Sequence, residues 1–215
     1  MQNLIETTKD FVRKSLENAE KGHDYFHTER VWKNAKEIAA SISCNELVVE
    51  LGALLHDIAD PKFYGGDERI ALTISEEFLK TLEVEEDLIE QVLFIIKNVS
   101  FKNRHEMPEN PPVELLIVQD ADRLDAIGAI GIARTFHFGG YKNNPMYDPA
   151  TAPKLNQSKE EYKKSNGTTI NHFYEKLLLL KDLMNTGRGK ELARERHEFM
   201  EAFLEQFLKE WNAQK

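Results

Sequence analysis

Apolar residues recur at helical spacing along most of this chain, and this periodicity constrains the fold more than any other feature. Helices are predicted at 3–20, 26–42, 45–59, 68–80 and 85–98. A longer helix is predicted at 113–135, and two more at about 168–185 and 189–212. No stretch alternates apolar and polar residues as a half-buried strand does. We therefore predict an all-α fold, formed as a single compact multi-helix domain over residues 1–215.

The composition narrows the classes of partner. Hydrophobic residues make up 41% of the 215 residues, and 28 Lys and Arg against 37 Asp and Glu give a net charge of −9. This balance argues against binding to a nucleic acid polymer, although a small phosphorylated molecule stays open. Cys44 is the single cysteine, no signal-peptide pattern begins the chain, and no apolar run is long enough for a membrane span. We expect a cytoplasmic protein that does not bind membranes.

Loops are predicted at 60–67, 99–112 and 137–158, and the last of these is long enough to act as a lid or binding loop. The final helix carries a stripe of large side chains that we predict to be core. The stripe comprises Leu192, Phe199, Phe203, Phe207 and Trp211. Arg194 and Arg196 of the same helix are expected to be surface charges.

A histidine and an aspartate stand side by side at the end of an apolar helical run. Pro61 follows closely, so the helix should stop there and leave His56 and Asp57 in its last turn. Imidazole and carboxylate groups are both ligands of divalent metals. The dipeptide alone is weak evidence, because a second one occurs at His23-Asp24.

Further metal ligands are available elsewhere in the chain. His27 lies one turn after His23 on the same predicted helical face, and either is a candidate. Asp122 lies in the apolar helix 113–135, where a buried carboxylate requires a cation. Asp125, one turn further on, is expected to orient a ligand or to pair with Arg123. A mixed nitrogen and oxygen set favours manganese, magnesium or iron over a closed zinc site.

Three strings of the sequence resemble a known signature. They are His27-Thr-Glu-Arg-Val31, Leu55-His-Asp-Ile58 and Gln119-Asp-Ala-Asp122. In this order they resemble the H…HD…D signature of the HD-domain metal-dependent phosphohydrolases. The resemblance implies an HD domain with its signature region at about 20–135 and a C-terminal helical extension at about 136–215. It also implies four metal ligands, namely His27, His56, Asp57 and Asp122.

The whole chain is similar to the YpgQ-type bacterial branch of that superfamily, including the segments His172–Leu178 and Arg194–His197. This similarity implies a pyrophosphohydrolase that splits (deoxy)nucleoside triphosphates into monophosphate and pyrophosphate. Manganese is the first choice of metal, with magnesium, nickel and iron as alternatives. A phosphomonoesterase or nucleotidase using the same metal, and a non-catalytic sensor of metal or nucleotide, are the alternative functions. A homodimer is left open.

Candidate catalytic residues follow the His-Asp pair. Asp60 is the first candidate to orient or deprotonate water, with Lys62 and Asp67 on the adjoining loop. Hydrolases of guanosine tetraphosphate carry an acidic pair at this place, whereas here Pro61 follows Asp60, which argues against that reaction. Phosphate binding also requires cations, and the candidates are Arg30, Arg123, Arg134 and Lys176. His172 shares a helical face with Lys176.

Overall fold

The computed structural model describes residues 2–17, 24–59, 69–99, 109–155 and 167–214. All regular secondary structure within these ranges is helical, which confirms the predicted fold class. The chain divides into two compact units, Met1–Asp122 and Arg123–Lys215. The grouping of both units into a single domain stays a prediction. In the described part of the chain, no helix has both the length and the apolar character of a membrane span.

Six helices begin in the first unit. They are α1 (Gln2–Ser15), α2 (Tyr25–Ala39), α3 (Glu46–Leu55), α4 (Arg69–Thr81), α5 (Glu86–Asn98) and α6 (Val113–Asp125). The apolar helix α3 packs against α1, α2 and α5, and α4 packs against α5. The core consists of fully buried aliphatic side chains, among them Val31, Ile38, Leu51, Leu54, Leu55, Ile95 and Leu115. A helix that is apolar nearly all round is stable only when other helices cover it, which explains the central place of α3.

Side-chain caps define where α2 and α3 begin. The carboxylate of Asp24 accepts a hydrogen bond from the backbone N–H of His27 at 3.0 Å. Asn45 caps α3 by accepting from the N–H of Val48 at 3.4 Å, as the sequence predicted. These bonds satisfy N–H groups that the first turn of a helix leaves without an intrahelical partner.

The second unit contains the remaining helices. They are α7 (Gly128–Tyr141), α8 (Thr169–Glu175), a 3₁₀ helix (Leu177–Leu183) and α9 (Gly187–Trp211). Helix α7 packs against α8 and α9, and the 3₁₀ helix packs against the same two. Three rings meet inside this unit, with the Phe203 ring centroid 5.9 Å from those of Phe136 and Phe173. Aromatic contacts of this kind stabilise a core beyond the area they bury.

The predicted continuous helix 113–135 is wrong. Helix α6 ends at Asp125, and α7 begins at Gly128, whose φ of +73° lies in the left-handed region. A residue at this φ cannot continue a right-handed helix, so the chain changes direction although its sequence stays apolar. Because α7 extends to Tyr141, the predicted loop 137–158 also begins later. The predicted helix 168–185 is α8 followed by the 3₁₀ helix.

The last helix differs from its prediction in two respects. None of the five stripe residues is buried: Phe199 and Trp211 are 54% and 45% exposed and the other three are half-buried, so the predicted core stripe is wrong. The buried face of this helix is formed instead by Ala193, Met200 and Leu204. Arg196 is not a surface charge, because it is half-buried and its Nη1 donates to the carbonyl oxygen of Leu124 at 2.5 Å. Burial lowers the pKa of the Arg196 guanidinium, and the nearby Asp125 carboxylate opposes that shift. Arg194 is exposed, as expected.

Candidate metal centre

Four predicted ligands come together at the ends of three helices of the first unit. His27 lies in the first turn of α2, and His56 and Asp57 lie in the turn that directly follows α3. Asp122 lies in the last turn of α6. The pair His56-Asp57 therefore stands just beyond its helix, where both side chains can point to the same side of the chain.

The distances between ligand atoms are short. Single atoms of His27, His56 and Asp57 all lie within 4.8 Å of one another. His27 Nε2 lies 4.0 Å from Asp57 Oδ2 and 3.5 Å from Asp122 Oδ1. His56 Nε2 lies 4.0 Å from the same Asp122 oxygen. Asp122 thus joins the group through both histidines.

Exposure differs between the two kinds of ligand. The imidazoles of His27 and His56 are 3% and 5% exposed, whereas the carboxylate of Asp122 is 39% exposed. The site therefore has a buried nitrogen side and an open oxygen side. An open side leaves room for water or substrate, as a catalytic centre requires and a closed structural site does not.

A backbone contact determines which nitrogen of His56 faces the site. Nδ1 of His56 lies 2.8 Å from the carbonyl oxygen of Ala53, one turn earlier in α3. A carbonyl oxygen only accepts, so Nδ1 carries the proton and donates. Nε2, the nitrogen on the other side of the ring, faces His27 and Asp122 and is the atom placed to bind a metal. Metal-binding histidines are commonly held by a hydrogen bond of this type.

The position of His27 depends on a residue that we did not select from the sequence. Asp24 holds the backbone N–H of His27 and so fixes the first turn of α2. The signal was present, because an aspartate three residues before the predicted ligand stands where an N-cap is favoured. The sequence pattern by itself presents Asp24 only as part of a second His-Asp pair. His23 lies outside the described residues.

The donor set fits a divalent cation. Two imidazole nitrogens and two carboxylates concentrate lone pairs and negative charge in a small, partly buried volume. A divalent cation bound among these groups would balance the negative charge of the two carboxylates. A mixture of nitrogen and oxygen ligands suits manganese, iron, nickel or magnesium.

Of the predicted catalytic and phosphate-binding residues, Arg30 belongs to the same helix as a proposed ligand. Asp60, Lys62 and Asp67 lie outside the described residues. Arg30 is half-buried and lies one turn after His27 on α2.

Two predicted substrate arginines contact protein groups inside the second unit. Arg123 donates to the carbonyl oxygen of Leu183 at 2.6 Å. Arg134 donates to Asp125 Oδ2 at 2.6 Å, which pairs its guanidinium with the Asp125 carboxylate. Together with Arg196, these residues hold the last three residues of α6 in place.

His172 lies on α8, and Lys176 is the residue that follows its C-terminal end. Burial, with a smaller contribution from the Lys176 charge, lowers the pKa of His172 from 6.5 to about 4. His172 is therefore neutral near pH 7, whereas Lys176 is exposed. A joint phosphate-binding role for the two stays a prediction.

Comparison with known proteins places the chain in a family. Residues 24–127 match the HD domain family model. The chain is 36% identical over 208 residues to YpgQ from Bacillus subtilis, which covers 95% of this chain and 92% of YpgQ. A crystal structure of an HD-superfamily hydrolase from Bacillus thuringiensis has 45% identity and a TM-score of 0.81, with 99% of each chain covered.

The crystal structure of Bacillus subtilis YpgQ in complex with ADP has 31% identity and a TM-score of 0.73, and covers 96% of this chain and 97% of that one. The helices and the His-Asp site define an all-helical protein with a candidate centre for a divalent cation. The chain belongs to the HD domain family, within which it is homologous to YpgQ.

Proposed function

We propose that this protein is a divalent-metal-dependent phosphohydrolase that converts (deoxy)nucleoside triphosphates into monophosphate and pyrophosphate. The observation that carries the proposal is the approach of His27, His56, Asp57 and Asp122 to one another from three helices. Nucleotides are favoured as substrates because the homologous YpgQ was crystallised with ADP. Manganese is the proposed metal.

The ligand side chains supply the binding and orientation that hydrolysis requires. When bound, a divalent ion supplies Lewis acidity, which withdraws charge from phosphoryl oxygens and activates water. His56 presents Nε2 in a fixed orientation, because Ala53 holds the opposite ring nitrogen. Asp122 forms the open side of the site, where substrate would approach.

Further roles are assigned from the sequence. Water attacks the α-phosphorus, the bond from that phosphorus to the bridging oxygen breaks, and pyrophosphate leaves. We assign Asp60 to receive the proton of that water, and Lys62 and Asp67 to contact phosphate and position water. Among the cations, Arg30 is placed first for phosphate binding because it stands one turn from His27 on α2. Arg123, Arg134 and Lys176 follow.

A substrate panel tests the proposal. Purified protein is loaded with Mn²⁺ and incubated with nucleoside mono-, di- and triphosphates, and phosphate and pyrophosphate are measured separately. We expect pyrophosphate from triphosphates and no turnover by the His56→Ala variant, because that variant lacks the best-oriented nitrogen ligand. If the protein binds Mn²⁺ but turns over no nucleotide of the panel, the proposed phosphohydrolase activity is refuted.

The ion released separates the alternative functions. Phosphate that appears without added pyrophosphatase would favour a phosphomonoesterase or nucleotidase. Tight nucleotide binding without turnover would favour a sensor. Both outcomes contradict the pyrophosphohydrolase.

A further inference from the structure

We propose that Asn34 is a positioning residue for the candidate metal centre, acting on Asp122 through the carbonyl group of Ala121. This inference rests on the metal centre of the proposed function. It concerns how α6 is held in register with α2, which determines where the fourth ligand stands.

Asp122 is the ligand whose place most needs an explanation. The other three belong to α2 and to the end of α3, and these helices pack closely against each other. Asp122 belongs to a third helix, α6. The carboxylate of Asp122 is also the most exposed of the four ligands.

Asn34 provides a direct link between α2 and α6. Its side-chain Nδ2 donates to the carbonyl oxygen of Ala121 at 3.3 Å. Ala121 immediately precedes Asp122 and is fully buried. Asn34 stands seven residues after His27, so the two side chains project from nearly the same face of α2. One face of α2 therefore presents a ligand at one end and holds the turn that carries another ligand.

The half-buried Asn34 makes a hydrogen bond that can fix the register of α2 against α6. An aliphatic side chain of similar size would fill a half-buried helix contact without the cost of desolvating an amide. Polar groups in such contacts are best attested as devices that select one register. A slide of α6 by one residue would move Asp122 by about 1.5 Å and rotate it by about 100°. Metal ligands tolerate displacements of only about 0.5 Å.

The test measures Mn²⁺ binding to the free protein, without nucleotide. Mn²⁺ is titrated into wild type and into Asn34→Leu, which keeps the branched shape of the side chain and removes the donor, and binding is followed by electron paramagnetic resonance. We expect the Kd for Mn²⁺ to rise about tenfold, as loss of a group that orients a ligand typically causes. We also expect the spectrum of bound Mn²⁺ to change, because the geometry of its ligands changes.

Trp32→Phe is the matched control. Nε1 of Trp32 donates to Glu50 Oε2 at 2.8 Å, so this variant also removes a side-chain hydrogen bond from α2, but one made to α3. Whatever its effect on Tm, this variant should leave the Kd for Mn²⁺ unchanged. Asn34→Ala removes the donor without adding bulk, and it gives the answer if the leucine variant does not fold.

A double variant tests the route of the effect. If Asn34 acts through Asp122, Asn34→Leu should not weaken Mn²⁺ binding further in protein that already carries Asp122→Asn, because effects on one element are not additive. An unchanged Kd in both Asn34 variants, an equal rise in Trp32→Phe, or additive effects in the double variant would each overturn the inference. If the wild-type protein binds no Mn²⁺, the proposed metal centre is itself contradicted. If it binds Mn²⁺ without nucleotide turnover, only the proposed function is contradicted.

Discussion

Nε2 of His27 lies 3.5 Å from Oδ1 of Asp122, which brings the first turn of α2 against the last turn of α6. Neither atom lies in the local sequence neighbourhood of the His56-Asp57 pair. The candidate centre is therefore a product of helix packing in the first unit, and its affinity for metal should respond to each element that contributes a ligand.

Asp122→Asn should weaken Mn²⁺ binding strongly. The variant keeps the size of the side chain and replaces a charged ligand by a neutral one. Loss of a residue that only supports a ligand lowers metal affinity by up to about 100-fold, so we expect loss of the ligand itself to lower the affinity for Mn²⁺ by at least about 100-fold. Calorimetric titration of free protein with Mn²⁺ measures it. Asp148→Asn, an exchange in the second unit, is the control. Equal affinities of Asp122→Asn and wild type would remove Asp122 from the ligand set.

The caps of α2 and α3 provide a matched pair of variants. Asp24→Ala and Asn45→Ala each remove one N-cap, so each should cost about 1 kcal/mol in the free energy of unfolding. Only the Asp24 bond holds the backbone of a proposed ligand, His27. We therefore expect weaker Mn²⁺ binding in Asp24→Ala alone, measured beside urea unfolding of both variants. A loss of metal affinity in both would point to general destabilisation instead.

Gly128→Ala should destabilise the second unit by about 2 kcal/mol. The φ of +73° costs an L-residue about 1–2 kcal/mol, and the added Cβ would lie 2.9 Å from Cγ of Arg196. Gly140→Ala on the same helix is the control, because nothing lies within 4 Å of its added Cβ. Alanine there should be neutral or stabilising. Urea unfolding compares the two, and equal stability of both variants would contradict the strained conformation.

Arg134→Met should lower the free energy of unfolding more than Arg188→Met does. It removes the guanidinium 2.6 Å from the Asp125 carboxylate, whose side chain is 2% exposed, so we expect a loss of about 3 kcal/mol. Arg188→Met breaks a pair with Glu191, whose side chain is 58% exposed, and should cost less than about 1 kcal/mol. Chemical unfolding of both variants decides the matter. Similar losses would show that the Asp125 pair contributes no more than a surface pair.

The free energy of unfolding should decrease as the pH is lowered from 6.5 to about 4, because of the titration of His172. Its pKa in the folded protein is about 4, below the ordinary 6.5, because burial disfavours the charged ring. Between these values the unfolded chain binds a proton that the folded chain does not, so stability falls as pH decreases from 6.5 to about 4 and this contribution then levels off. The shift corresponds to at most about 3 kcal/mol.

Unfolding of His172→Gln over the same pH range measures this contribution. The variant should show a shallower decrease of stability with falling pH than wild type. His137→Gln removes an exposed histidine of α7 and should follow wild type. A variant that lacks His172 and keeps the full wild-type slope would assign the pH dependence to other groups.

Features of the fold that depend on neighbouring residues were predictable from sequence. The cap at Asn45 and the helix end near His56 follow from local composition, and the structure places both within a few residues of the prediction. The all-α class follows from periodicity over the whole chain. These features do not require knowledge of what each helix packs against.

The failures lie where the deciding contact is distant in sequence. The apolar run through Gly128 reads as one helix because composition does not reveal the sign of φ. Arg196 reads as a surface charge because its partner, the Leu124 carbonyl, belongs to another helix. Asn34 has the same character, since a single asparagine among charged residues of α2 gives no sign of a bond to Ala121.

The boundary between the two compact units falls inside α6, directly after Asp122. For protein engineering, this boundary is a poor junction. A chimera joined between Asp122 and Arg123 would combine a proposed ligand from one parent with the next residue of the same helical turn from another. A junction at Gly128, where the helix has already ended, keeps the whole of α6 with one parent. Exchange of C-terminal segments among homologues should therefore preserve metal binding better when α6 is inherited intact.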